Sequence, residues 1–107
     1  MSTQDLTVTT SFATRVRAGV ALLDAKEPGW HEQVNADRLN IDSLKACVLG
    51  QLHGSFSAGA TEVLGLNRGA FKAVNFGFDA LFDRARAIRT LNRLWVYVVR
   101  TRQAVSQ

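Results

Sequence analysis

An all-α single domain is what this sequence predicts, on three observations. Apolar residues recur at intervals of three and four along two long stretches, Phe12 to Asp24 and Ala80 to Thr101, the spacing of helices buried on one face. The chain holds a single proline, Pro28, and no glycine or proline interrupts Ala80 to Thr101. Its 107 residues, 47% hydrophobic and 21% charged, have the size and composition of one globular unit. A chain of this length buries roughly 60 to 70% of its unfolded surface, enough to fold without staples. The expectation is a compact bundle of about four or five helices with a long amphipathic C-terminal helix. Residues 1–10 read as a flexible N-terminal tail, 11–102 as the helical domain and 103–107 as a frayed C-terminus.

In the first helix Phe12, Val16, Val20 and Leu23 form the apolar face and Ser11 is the expected N-cap. It must stop before Pro28-Gly29, because proline disfavours helical geometry at Glu27. Trp30 follows at the turn as a core anchor. A short second helix, capped by Asp42, carries Leu44, Cys47, Val48 and Leu52 and closes at Gly54. A third runs from Phe56 to Leu66, with Gly65 as its stop. Asn67 to Phe78 mixes Phe71, Val74, Phe76 and Phe78 with Gly69 and Gly77 in no clean period, so it reads as an irregular aromatic connection with room for a short strand.

The last helix opens at Asp79 as N-cap. At 100° per residue, Leu81, Ala85, Ile88, Leu91, Trp95, Val98 and Val99 form one apolar stripe, and Arg86, Arg89, Arg93 and Arg100 fall together on the opposite face. Arg84 and Arg102 break that separation; their stems can snorkel or their heads can pair with acids. Leu81, Ile88 and Trp95 approximate a heptad seam, over too few heptads for a coiled coil.

The net charge of +4 is unevenly distributed. From Arg84 onward there are six arginines and no acid, whereas residues 1–83 hold the other seven basic residues and all nine acids, a balance of −2. Six residues, Leu94 to Val99, is the longest apolar run noted, far short of the ~20 that span a bilayer. With no basic or apolar leader in residues 1–10 and one unpaired cysteine, a cytoplasmic location is expected.

Catalytic chemistry finds little to stand on. Cys47 and His53 lie about 240° apart on a helix and would not face each other. A single cysteine with His31 and His53 falls short of a zinc ligand set, the acids are scattered, and no phosphate-loop or dinucleotide fingerprint occurs. No catalytic, cofactor-binding or metal-binding residue is therefore expected, no cofactor, no small-molecule substrate and no enzymatic activity. The arginine face has three readings: a solvated surface, a contact for a protein partner, or a track along phosphates. Arg86, Arg89, Arg93 and Arg100 are the candidate partner-binding residues, for a host protein or self-association, with nucleic acid as the alternative. No aromatic interleaves them, so stacking on single strands is not indicated.

The strings Leu22-Leu23-Asp24, Pro28-Gly29-Trp30, Cys47-Val48-Leu49-Gly50-Gln51-Leu52-His53-Gly54, Leu64-Gly65-Leu66 and Gly77-Phe78-Asp79 resemble those of a family of small proteins encoded by actinobacteriophages and actinobacterial genomes. The likeness spans roughly Arg15 to Trp95 and implies a phage or prophage protein acting in a bacterial host cytoplasm, with no mechanism attached. Some relatives carry a further cysteine where this chain has Leu44, which counts against a metal role. Physically the strings read as architecture: Pro28-Gly29-Trp30 fixes a turn, Cys47 to Gly50 offers a small-residue surface for close helix approach, and Gln51 is placed to bond a turn backbone.

Overall fold

The computed structural model describes residues 11–63, 65, 70–80 and 83–106. It is the all-α architecture the sequence predicts, with no strand among the described residues. Four α-helices, α1 (Ser11–Lys26), α2 (Val48–His53), α3 (Ala70–Asn75) and α4 (Arg84–Ser106), are joined by a 3₁₀ turn at Trp30–Gln33 and a π turn at Ala58–Val63. α4, the longest, packs along α1 and against the 3₁₀ turn, while α2 packs on the π turn. No described helix is long and apolar enough to cross a membrane.

Periodicity correctly locates the two long helices because each buries one side. Val16, Val20 and Leu23 of α1 meet Ile88, Leu91, Trp95 and Val99 of α4 in one buried cluster. Trp30 and Trp95, both fully buried, meet edge to face at its centre, with ring centroids 5.9 Å apart, and Phe78 stacks on Trp95 at 5.1 Å. Each indole N–H has a partner: Trp95 Nε1 donates to the Gly77 carbonyl at 2.7 Å and Trp30 Nε1 to Asp24 Oδ1 at 2.9 Å. Gly19 makes this centre possible, since a Cβ there would lie 2.2 Å from the Phe76 carbonyl oxygen and 2.9 Å from the Trp95 ring.

Several expectations give way to local competition. α4 starts at Arg84 and not at Ala80, because Asp83 adopts a left-handed φ of 46° that no helix interior accommodates, while Asp79 Oδ1 accepts from the adjacent Ala80 N–H and pairs with Arg84 instead of capping a helix that opens at Ala80. Ala85, in the first turn, is exposed; Ala87 and Ile88 take the core side there. Leu81 lies outside the described residues. At its other end α4 continues past Gln103 to Ser106, held by the Gln103 amide, which donates to the carbonyls of His31 and Val34.

The second helix is shorter than expected. Asp42 does not cap it; Ser43 Oγ accepts from the N–H groups of Lys45 and Ala46 and holds a turn instead, leaving Leu44 69% exposed. Cys47 is the N-cap, its Sγ accepting from Gly50 N, and Gly54 closes the helix as predicted. The close approach expected at Gly50 occurs, but to the backbone of Leu44 and Lys45 and not to another helix. Gln51 does bond turn backbone, accepting from Asn35 N and donating to the carbonyls of Asn35 and Ala46. The expected third helix is the π turn, with Leu64 and Leu66 outside the described residues. The stretch read as irregular with a possible strand contains α3, whose end is bonded back from Phe78 N to the Ala73 carbonyl. The proposed tail, residues 1–10, lies outside the described residues.

Candidate functional site: the arginine face of the last helix

Arg86, Arg89, Arg93 and Arg100 are all exposed, within about 60° of arc on α4. The opposite side of that helix is fixed by Leu91, Trp95 and Val99, so the face rides on a rigid support. In this the sequence reading and the structure agree.

The charge of the face is another matter. Along the chain, acids and arginines look segregated; in space they are not. Arg102 closes a two-pronged bond on Asp24, Arg100 pairs with Asp37 at 2.7 Å, Arg86 with Asp83 at 3.6 Å, and Arg84 reaches both Asp42 and Asp79 at 3.1 and 3.2 Å. Four of the six arginines after Asp83 therefore have a carboxylate beside them. Arg84 and Arg102, the two that break the amphipathic separation, are the pairing kind foreseen. Arg89 and Arg93, one turn apart, make no ion pair among the described residues. They are the uncompensated charge of the candidate set.

The best-anchored of these pairs joins α1 to α4. The Arg102 guanidinium donating to Asp24 holds its carboxyl below the ordinary value of 3.8; burial opposes this and the Trp30 N–H assists. The same contact raises the Arg102 pKa.

Next to Arg89 and Arg93 opens a cleft whose rim includes two asparagines that the sequence reading passed over. Asn92 Oδ1 accepts from Ile41 N at 2.8 Å, and Asn40 Oδ1 accepts from Asp42 N at 3.0 Å. The signals were present: asparagine is a weak helix former in mid-helix, and Asn-Ile-Asp is a spacing that favours a side-chain turn.

The other candidates fall apart spatially. Cys47 is buried as a helix cap, and desolvation raises its thiol pKa even though the Gly50 N–H opposes the rise. His53 is bonded to Glu27, at the other end of α2 from Cys47. Among the described residues, no three of His, Cys, Asp and Glu gather at metal-binding distance.

No protein-family model, no curated protein and no solved structure matches this chain.

Proposed function

We propose that this chain is a small non-enzymatic protein of phage or prophage context, which binds an acidic surface of a host protein through the exposed face of α4 and so regulates a host or phage process. The single observation that supports this is the pair Arg89 and Arg93: exposed, one turn apart, on a helix immobilised by its buried side, and without a carboxylate of their own among the described residues.

A protein partner suits this surface better than a phosphate backbone. Duplex DNA carries a charge about every 1.7 Å and rewards a continuous basic track. Here Arg86 and Arg100 are bracketed by Asp83 and Asp37, whose carboxylates would repel phosphates on either side of Arg89 and Arg93. A discrete acidic patch meets the same surface without that penalty.

The test replaces Arg89 and Arg93 with glutamate and compares capture from bacterial lysate, with and without nuclease, and retention of a defined duplex. Nuclease-resistant capture of a protein, lost in the variant at unchanged melting temperature, supports the proposal. Nuclease-sensitive capture together with duplex retention replaces it with nucleic-acid binding. Unchanged behaviour of a folded variant reduces the stripe to a solvated face.

A further inference from the structure

Between the arginine face and the core side of α4 lies a cleft of about 390 Å³ lined by Asn40, Ile88, Arg89, Asn92, Arg93 and Val96. Its polar side chains offer one kind of group. An amide side chain has an acceptor end and a donor end, and both asparagines have their acceptor committed to a backbone N–H, Ile41 for Asn92 and Asp42 for Asn40. That assignment is fixed, since only the oxygen end can accept from an N–H. The Nδ2 groups have no hydrogen-bond partner among the described residues, and Asn40 is exposed while Asn92 is half-buried. Guanidinium groups carry donors only. Four neighbouring side chains thus leave mainly donors for a ligand, because each asparagine oxygen is already engaged by a backbone N–H, beside the aliphatic groups of Ile88 and Val96.

We infer that this cleft is a carboxylate-binding site, which takes an aspartate or glutamate side chain of a partner protein with an aliphatic neighbour against Val96. The inference rests on α4 being the partner surface and narrows that surface to one pocket. A carboxylate has two oxygens able to accept from a guanidinium and an amide together, and charge-assisted bonds of this sort are roughly twice as strong as neutral ones. A cation would meet mostly donors and be repelled by the two positive charges of Arg89 and Arg93. A purely apolar ligand would leave those donors desolvated.

Asn92→Asp offers a selective test, because it keeps the Oδ1 acceptor for Ile41 while turning the donor end into a second acceptor beside Arg89 and Arg93. The probe is a short fluorescein-labelled peptide in which glutamate alternates with leucine, followed by anisotropy, with inorganic phosphate and a DNA duplex as competitors. Saturable peptide binding is expected, weakened at least about tenfold by Asn92→Asp and by Arg89→Gln with Arg93→Gln. Arg86→Gln with Arg100→Gln, outside the cleft, should leave affinity within about threefold, as expected for exposed pairs of little net strength. The arginine variants change only exposed side chains, so they decide the matter even if Asn92→Asp alters the fold. Absence of saturable binding, or unchanged affinity in the Arg89 and Arg93 variant, overturns the inference. Equal losses from the outer pair overturn the pocket while leaving α4 as the partner face. Competition by the duplex far exceeding that by unlabelled peptide overturns the carboxylate assignment. Failure of the partner-face reading is seen separately, as host-protein capture indifferent to every α4 variant.

Discussion

Arg102 donates through Nη1 and Nη2 to the two oxygens of Asp24, at 2.7 and 2.9 Å, across 78 residues of sequence. The bond ties α1 to α4, and Asp24 also accepts from Trp30 Nε1, so one carboxylate joins both long helices and the 3₁₀ turn. It follows that the Asp24 carboxyl favours its ionised form more in the folded chain than in the unfolded one. Its contribution is complete above the unfolded value of 3.8 and disappears as pH falls through the lower folded value. Asp24→Asn should cost about 1 kcal/mol at neutral pH, since the side chains of Arg102 and Asp24 are 35% and 41% exposed and partly screened. Denaturant titrations at neutral pH and below pH ~4 check this: the gap between wild type and variant should narrow in acid.

Gly19→Ala sets helix propensity against packing. Alanine favours the helix by roughly 1 kcal/mol, but its Cβ would sit 2.2 Å from the Phe76 carbonyl, a backbone atom that moves only with the end of α3. Packing should win, with a net loss of about 2 to 3 kcal/mol visible as a lower melting temperature.

Asn92→Ala should destabilise by about 1 to 3 kcal/mol, because the Ile41 N–H loses its acceptor. Asn92→Asp, which keeps that acceptor, should lose much less. Equal losses in chemical denaturation would mean that the Ile41 bond does not hold the 41–46 turn to α4.

Ile88→Asp should cost several kcal/mol, since it puts an unpaired charge on the buried side of α4. A folded variant with a near-native melting temperature would contradict the packing described for this helix.

Cys47 should label slowly with a thiol reagent in the native state and fully once unfolded, being buried with a raised thiol pKa. Cys47→Ala should cost no more than ~2 kcal/mol, the loss of a small packed group and a weak cap.

Much of this architecture was readable from spacing alone, because Val16, Val20 and Leu23, like Ile88, Leu91 and Trp95, are set by contacts one helical turn apart. Helix boundaries were less so: Asp79 and Asp42 both look like caps, but the left-handed Asp83 and the Ser43 turn decide where α4 and α2 begin. The arginine face was legible as geometry and misleading as charge. Asp24, Asp37 and Asp42 reach Arg102, Arg100 and Arg84 only through tertiary folding, so no count along the chain shows that Arg89 and Arg93 stand apart. The donor bias of Asn40 and Asn92 was hidden for the same reason, since it depends on which end of each amide the backbone engages.

The central claim is that ligand contact on α4 is confined to the cleft at Arg89 and Arg93. Its most direct test is a nitrogen-15 NMR titration with the glutamate-leucine peptide, following the side-chain NH₂ resonances of Asn40 and Asn92. The account predicts that these two pairs shift saturably, together with the Arg89 and Arg93 side-chain N–H signals, while the Ile41 backbone amide keeps its protection from exchange. Stationary asparagine signals, with shifts instead around Ala21, Tyr97 and Val98 in the cleft between α1 and α4, would contradict it.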